Sequence, residues 1–342
     1  MDSRERVIRT LRFECPDRAP RDLWTLPGIE MTRKNELDAL LARFPSDLAH
    51  PRAQYGRGKR EKGTRHVVGS YIDEWGCEWH VAELGVVGEV KGPPLADWAA
   101  LQSYHAPYEI LDQADFSQVN QSCAETAKFV LASTTIRPFE RMQFVRGSEA
   151  LYMDLAYEPA ELYRLRDLVH AFFMRELELW IRTDVDGISF MDDWGTQQSL
   201  LISPKQWRSF FKPLYKDYCD LIHSAGKSVF FHSDGHIIDI YPDLIEIGVD
   251  AVNSQLFCMD IEKIGQQFKS QITFWGEIDR QSILPFGTVE DVRAAVRRVR
   301  YALDDGSGGV FAQCEWGNDV DTRNVAAVFE TWLEKIVKTS PL

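Results

Sequence analysis

Residues 187–233 read GISFMDDWGTQQSLLISPKQWRSFFKPLYKDYCDLIHSAGKSVFFHS and contain the pattern on which the fold prediction depends. The runs at 187–192 and 228–233 are apolar without polar alternation, as expected of strands that are buried on both faces. The segment between them, 204–225, is predicted to be a helix. Ser203 is a typical residue before a helix start and Pro204 a typical first residue, and Gly226 is a typical residue after a helix end. This order of strand, helix and strand predicts a parallel βα unit.

The same alternation continues on both sides of this unit. Further strands are predicted at 129–134, 249–253, 272–276 and 309–313, helices at 147–156, 159–182, 236–247 and 288–303, and a first strand beginning within 18–24. The absence of a GxGxxG motif after an early strand argues against a dinucleotide-binding open sheet. We therefore expect an α/β protein with a single (β/α)8 TIM-type barrel and N-terminal helical and loop additions. One domain would span 1–342, with the additions and first strand in 1–125 and regular βα units in 126–342.

Composition narrows the range of partners. The 342 residues include 39 Lys and Arg against 52 Asp and Glu, a net charge of −13 that argues against nucleic acid or an anionic membrane. No apolar run is long enough to span a bilayer, and the first residues lack the apolar region of a secretory signal. Six scattered cysteines do not form the dense pattern of a disulfide scaffold. We expect a cytoplasmic protein that acts on a small molecule.

Polar side chains follow the predicted strands, where barrel enzymes carry their active sites. They are Asp192-Asp193-Trp194, His232-Ser233-Asp234, Asn253-Ser254-Gln255, Gly276-Glu277-Ile278-Asp279 and Gln313-Cys314-Glu315-Trp316. Each group has a structural alternative, because strand-end acids often cap helices and single cysteines are often core residues. Because five successive strands end in polar residues, we expect these side chains to converge at one open end of the barrel, which we call the mouth.

His232 and Asp234 are two residues apart, so on a strand they point to the same side. Together with Cys314 they offer the N, O and S donors that Zn²⁺ accepts, and they are the predicted metal ligands. The alternative is a hydrogen-bonded pair that orients a substrate without metal. His236 and Cys258 are secondary ligand candidates, and His223 is expected at the surface.

Asp192, His232 and Glu277 are the predicted catalytic residues. Asp192 and Asp193 are adjacent, so only one of them can point to the mouth while the other caps or pairs. If Asp192 is buried, its pKa rises and it becomes a candidate acid or base. Glu277 is a second candidate proton donor.

Substrate contacts are predicted from aromatic and amide side chains. Trp24, Trp75, Trp194 and Trp275 would form an aromatic wall, and Asp73, Gln197 and Asn253 would add polar contacts. The segment DEWGCEW (73–79) has an alternative interpretation as a hairpin that packs its first tryptophan. The basic segment 52–62 predicts a mobile loop, either an anion-binding lid or a solvated insertion.

Several segments resemble the uroporphyrinogen decarboxylase superfamily, and specifically its branch of corrinoid-dependent methyltransferases. They are DEWGCEW (73–79), GPPLADW (92–98), FERMQFVRG (139–147), DDWGTQQSLLISPKQWRSFFKPLYK (192–216), HSAGKSVFFHSDGHI (223–237), FWGEID (274–279), LPFGT (284–288) and the Cys314 segment. The resemblance implies a distorted (β/α)8 barrel with its site at the C-terminal mouth. Many relatives are dimers, so a homodimer is a further expectation.

The chain departs from the superfamily pattern at two places. It lacks the arginine-rich RQAGR segment by which decarboxylases of this superfamily grip porphyrinogen carboxylates, which disfavours porphyrin decarboxylation. The methyltransferases bind zinc through His-x-Cys and a distant Cys; here His232 matches the His, Asp234 replaces the first Cys, and Cys314 falls near the second. A carboxylate oxygen is a harder metal ligand than a thiolate sulfur. The aspartate therefore makes a metal site here better suited to polarising a substrate oxygen than to holding a substrate thiolate.

Three functions remain open from the sequence. The first is a metal-assisted methyltransferase that moves a methyl group between a small substrate, for which an aromatic methyl ether is one candidate, and a corrinoid on a partner protein. The second is a cofactor-independent decarboxylase or lyase that uses Asp192 and His232, with arginines of 52–62 binding a carboxylate. The third is a barrel that binds a small molecule or a protein without chemistry.

Overall fold

The computed structural model describes residues 1–335 of the chain. Its strands are β1 Arg21–Thr25, β2 Leu48–Ala49, β3 Gly69–Ile72, β4 Glu78–Val81, β5 Glu89–Gly92, β6 Phe129–Ser133, β7 Gly187–Met191, β8 Ser228–Ser233, β9 Ala251–Ser254, β10 Thr273–Phe274 and β11 Ala312–Trp316. Eight of them pair in parallel, in the orders β10-β9-β8-β7-β6-β2 and β1-β11, while β3, β4 and β5 form an antiparallel sheet.

The two parallel sheets are joined by short contacts. On one side, Phe274 of β10 forms a parallel bridge with Val310, just before β11. On the other, the backbone N–H of Asp47 donates to the carbonyl of Arg21 in β1, 2.8 Å away. The predicted α/β class with a parallel sheet is confirmed. A continuous eight-stranded ladder is not present within residues 1–335, so the closed barrel itself is not confirmed.

The helices fill the connections between strands. They are α1 Ser3–Leu11, α2 Pro27–Thr32, α3 Lys34–Arg43, α4 Glu109–Asp112, α5 Val119–Ala124, α6 Pro138–Arg146, α7 Ser148–Tyr157, α8 Ala160–Trp180, α9 Pro204–Phe210, α10 Lys212–Ser224, α11 Tyr241–Ile247, α12 Ile261–Phe268, α13 Ile283–Phe286, α14 Val289–Leu303 and α15 Thr322–Trp332. Side-chain caps set several starts, as at Ser203 before α9 and at the capping box of Thr288 and Asp291 before α14.

Several predicted boundaries differ from the structure, among them the following three. The single helix predicted at 204–225 is divided at Phe211, and the second part begins with a proline in its first turn. The strand predicted at 309–313 begins only at Ala312, because Gly308 and Gly309 have φ of 117° and 75°, outside the extended region. Residues 1–125 supply β2 as well as β1, and a strand of two residues has no detectable pattern.

Strand alternation divides the core into two layers. The inner cluster contains Val7, Leu48, Phe129, Leu131, Phe230, Ala251, Trp275 and Phe311, all at most 4% exposed. Phe231, which is next to Phe230 in β8, joins the larger cluster that packs against the helices, as do Ala312 and Cys314 of β11. Because side chains alternate along a strand, His232 shares the inner face with Phe230. No helix within residues 1–335 is both long enough and apolar enough to span a membrane.

Candidate functional site

A cavity of about 490 Å³ opens among the carboxyl ends of the parallel strands. Its lining residues are Leu23, Trp24, Thr25, Glu30, His50, Ser133, Thr134, Arg137, Ser189, Phe190, Met191, His232, Trp275 and Glu315. A second cavity, of about 520 Å³, is lined by residues such as Ala19 and Val310, which precede β1 and β11. Since chemistry in parallel α/β folds is placed at the carboxyl ends of strands, the first cavity is the candidate site.

His232 reaches this cavity from β8 and is held by Asn253 of β9. The Asn253 amide Nδ2 donates to the carbonyl of Trp275 at 2.5 Å, which leaves its Oδ1 to accept from His232 Nδ1 at 2.7 Å. This network assigns the proton to Nδ1, because an amide oxygen can only accept. The Nε2 atom of His232 is therefore the ring atom that is left to bind a proton or a metal ion.

Two carboxylates lie beside this free nitrogen. Asp234 Oδ1 is 3.5 Å and Asp193 Oδ1 is 3.6 Å from His232 Nε2. The backbone N–H of Asp234 donates to Asp193 Oδ1 at 2.9 Å, which fixes the position of Asp193. The structure thus brings His232 and Asp234 together, and it places Asp193 rather than Asp192 with them.

Arg280 connects the carboxylates on the far side of this group. Its guanidinium donates to Asp234 Oδ2 and to Glu315 Oε1, the latter at 2.7 Å, and its Nε lies 3.7 Å from Glu277 Oε1. One cation therefore neutralises part of the charge of three acids. Burial raises the pKa of Glu277 well above its usual value, an effect that Arg280 opposes.

The donor set of Asp193, His232 and Asp234 fits a divalent metal ion. One nitrogen and two carboxylate oxygens lie within 4.8 Å of one another, and Asp234 Oδ1 is buried without a hydrogen-bond donor. Zinc, manganese and cobalt accept such ligands. Cys314 is not in this group: it lies on the helix-facing side of β11 among the outer core residues, where burial raises the pKa of its thiol. The strand-end position of Cys314 suggested a ligand, but its side chain has the wrong direction because neighbouring strand residues alternate.

Asp192 is fully buried, and its carboxylate oxygens accept three hydrogen bonds from other residues of the protein. It accepts from the backbone N–H groups of Phe139 and Glu140 at 2.6 and 2.7 Å and from the Tyr215 hydroxyl at 2.6 Å. These contacts cap the start of α6. Burial and the neighbouring Glu140 raise the pKa of Asp192, while the three hydrogen bonds oppose the rise. Of the two adjacent aspartates, Asp192 is thus the one that caps.

The structure separates the four predicted wall tryptophans into two pairs. Trp24 and Trp275 line the cavity, their rings meet edge to face at 5.0 Å, and Trp24 lies 5.0 Å from the ring of His232. Trp194 stacks on Phe139 in the outer core, and Trp75 packs there as well. The hairpin alternative for Trp75 is confirmed, since its segment forms the turn between β3 and β4.

Two further predicted contact residues lie outside the cavity lining. Asp73 accepts hydrogen bonds from Trp79 Nε1 and Arg141, both at 3.0 Å, and so stabilises the hairpin. Gln197 donates to Gln255 at 2.9 Å. Gln197 and Glu277 border a separate chamber of about 150 Å³ next to the Arg280 cluster.

The remaining candidates are placed as follows. His236 is partly exposed, but its Nδ1 is buried without a hydrogen-bond partner, and Cys258 donates to the carbonyl of Gln255 at 3.1 Å. His223 is partly exposed and pairs with Asp250 at 2.9 Å.

The basic segment 52–62 is anchored rather than free, and it does not line the cavity. Its Tyr55 hydroxyl donates to Glu176 at 2.5 Å, and Arg60 lies 5.1 Å above the ring of Tyr104. Arg52 pairs with Glu125 at 2.8 Å. The local sequence predicts a mobile loop because its anchors are distant in the chain and leave no local signal.

Two residues at the site carried no sequence signal. Asp22 of β1 accepts the indole N–H of Trp24 at 3.0 Å and of Trp275 at 2.9 Å, so one buried oxygen fixes both rings. Glu140, in the first turn of α6, lies 3.7 Å from Arg137, and burial raises its pKa to about 7. An acid near a helix start is normally a favourable surface residue, so only the fold reveals the burial of Glu140.

We expect Glu140→Gln to change how stability depends on pH. The folded-state pKa of about 7 lies above the usual 4.5, so the fold favours the protonated acid, and stability is lost as pH rises from about 4.5 through 7. The variant should therefore gain about 1–3 kcal/mol relative to the wild type at pH 8 compared with pH 5. Urea unfolding of both proteins at the two pH values measures this, and an equal pH dependence would contradict the assignment.

Comparisons with known proteins agree with the fold. The sequence model of the uroporphyrinogen decarboxylase (URO-D) family matches residues 72–334. The methyltransferase from Methanosarcina mazei is similar in structure, with a TM-score of 0.71, 14% identity, and coverage of 97% of this chain and 98% of that one. A glycoside hydrolase family 10 xylanase from Gloeophyllum trabeum gives a TM-score of 0.46 at 11% identity, covering 95% of this chain and 99% of that one. No curated protein sequence matches significantly. Because the family match covers most of its length, the chain belongs to the uroporphyrinogen decarboxylase family.

Proposed function

We propose that this protein is a methyltransferase that moves a methyl group between a small methylated substrate and a corrinoid carried by a partner protein. The observation that carries the proposal is His232, whose Nδ1 is fixed by Asn253 and whose Nε2 faces two carboxylates beside a cavity walled by Trp24 and Trp275. The fold shared with the Methanosarcina mazei methyltransferase supports it.

The site is suited to releasing a poor leaving group. When a methyl group leaves an ether oxygen, both bonding electrons stay on that oxygen, which must gain a proton or be neutralised. In its doubly protonated form, His232 donates that proton from Nε2, and Asp193 and Asp234 stabilise the cationic ring. A metal ion held by the same three residues would neutralise the oxygen as a Lewis acid.

Trp24 and Trp275 would place a flat aromatic ether beside His232. Their ring orientations are fixed by Asp22, so the apolar wall is preorganised before a ligand enters. When bound by the partner protein, the corrinoid supplies the nucleophilic cobalt that accepts the methyl group. The residues of this chain bind and orient the methyl donor for that attack.

The cavity gives less support to the other two functions. Arg137 is the one Lys or Arg side chain among its lining residues, beside the acids Glu30 and Glu315, which does not suit a substrate with many carboxylates. A decarboxylase that uses Asp192 as its acid or base would need to free a carboxylate that already accepts three hydrogen bonds. A pure binding role does not account for the free Nε2 of His232.

An assay with reduced cobalamin and a panel of methyl ethers tests the proposal. We expect protein-dependent methylation of the cobalamin, followed by its absorbance change. Carboxylated analogues without a methyl group serve as the control panel, with released CO2 as the readout. Methylation at the protein-free rate would contradict the proposal; CO2 release from the control panel would favour the decarboxylase instead.

We expect Trp24→Ala to lower kcat/KM for the methyl donor about 10–100-fold, because an apolar face and a ring contact beside His232 are lost. The matched control is Trp98→Ala, since Trp98 is also partly buried but lies outside the cavity lining, with its indole bonded to Asp154. Steady-state kinetics of both variants measure the effect. Equal losses in the two variants would place the substrate elsewhere.

A further inference from the structure

Three candidate metal donors lie at the neighbouring ends of β7 and β8. We infer that Asp193, His232 and Asp234 bind a divalent cation through two oxygens and one nitrogen, with Asp193 in the role that the sequence assigned to Cys314. The inference deepens the metal assistance in the proposed function and rests on the same site.

The spacing of the donors supports this assignment. His232 Nε2 lies 3.6 Å from Asp193 Oδ1 and 3.5 Å from Asp234 Oδ1, which is longer than a good N–H···O hydrogen bond. Zinc ligands lie about 2.0–2.1 Å from the ion, so two tetrahedral ligands are separated by about 3.3 Å. The three donors are thus close to the separation that a shared ion requires.

The free lone pairs are a second and independent observation. The His232 side chain is only 8% exposed, and its Nε2 has no hydrogen-bond partner among the contacts of residues 1–335. Asp234 Oδ1 is also buried without a donor. Buried polar atoms in native proteins normally have a partner, so His232 Nε2 and Asp234 Oδ1, 3.5 Å apart, are both available to share a cation.

The surrounding contacts prepare these donors for an ion. Asn253 accepts from His232 Nδ1, which keeps the lone pair on Nε2 and is the outer contact typical of metal-bound histidines. Arg280 binds the other oxygen of Asp234, and the backbone N–H of Asp234 binds Asp193. These contacts orient both carboxylates, and each carboxylate keeps lone pairs that can bind an ion beside His232.

The donor set also predicts which ions are preferred. Without a thiolate, two carboxylates and an imidazole favour Zn²⁺, Co²⁺ and Mn²⁺ over thiophilic ions such as Cd²⁺. Cys314 is fully buried among the outer core residues on the helix-facing side of β11, and it is not part of the group of three donors.

Titration calorimetry of the metal-stripped full chain with Zn²⁺ tests the assignment. We expect one ion per chain, an affinity reduced at least 10-fold in Asp193→Asn, and an unchanged affinity in Cys314→Ala. Asp279→Asn is the matched control, because Asp279 is another strand-end carboxylate whose oxygen accepts from the backbone of Gln281 and Ser282. Thermal melts verify that each variant is folded.

The absorption spectrum of the Co²⁺-loaded wild type decides the donor type without any variant. We expect visible bands of nitrogen and oxygen ligation and no thiolate-to-cobalt charge transfer. A charge-transfer band that Cys314→Ala removes, a loss of Zn²⁺ affinity in Cys314→Ala, or no binding at all would overturn the triad. A protein that binds no ion but still methylates cobalamin would overturn this inference alone and leave the proposed function standing.

Discussion

Replacing His232 by alanine should reduce the rate of methyl transfer about 10²–10⁴-fold while the protein stays folded. The loss follows from removal of Nε2, the one ring atom that is directed at the two carboxylates and free to hold a proton or an ion. Asn253 accepts a hydrogen bond from His232 Nδ1 and so keeps the lone pair on Nε2. His232→Ala removes this lone pair as well. The rate of cobalamin methylation, measured under saturating substrate, gives the effect directly.

The matched control for this variant is His223→Ala. His223 is partly exposed, lies at the end of α10 and pairs with Asp250, so its removal should leave the rate within about twofold of the wild type. Circular dichroism and a thermal melt establish that both variants are folded. An unchanged rate in folded His232→Ala would remove His232 from the site.

Replacing Asp192 by alanine should instead reduce the free energy of unfolding, by about 3–5 kcal/mol. The change leaves the backbone N–H groups of Phe139 and Glu140 and the Tyr215 hydroxyl without their acceptor in a fully buried place. Unsatisfied buried donors of this kind each cost about 1–3 kcal/mol. Urea unfolding followed by tryptophan fluorescence measures the difference.

The adjacent Asp193 provides the control for Asp192. Its side chain is 40% exposed and accepts one backbone N–H, so Asp193→Ala should cost less than about 1 kcal/mol. A large stability loss in Asp193→Ala and a small one in Asp192→Ala would reverse the roles that the structure assigns. A small loss in both variants would show that α6 does not depend on its cap.

The central strands β7 and β8 were well predicted because buried parallel strands have a continuous apolar pattern. The strand predicted at 228–233 matches β8 residue for residue, and the one at 187–192 is one residue longer than β7. The same two-residue alternation predicted that His232 and Asp234 share a side, and they lie together. Local regularity was sufficient for these elements because no distant contact opposes it.

Residues whose roles depend on distant partners could not be predicted. From the sequence we expect Asp192 to be catalytic, but the choice between Asp192 and Asp193 is set by Tyr215 and the start of α6, which hold Asp192 as a cap. Cys314 shows the same limit, since a shift of one residue decides whether a strand side chain faces the inner cluster or the helices. Trp194 could not be assigned to the core before its stacking on Phe139 was known.

The most direct measurement uses a methyl ether whose methyl group is fully deuterated. The protein is mixed with the ether and reduced cobalamin for a single turnover, and the corrinoid is analysed by mass spectrometry. The proposed function predicts a corrinoid that carries the intact trideuteromethyl group in the wild type and almost none in His232→Ala. An unlabelled corrinoid in the wild type, at every methyl donor of the panel, would contradict it.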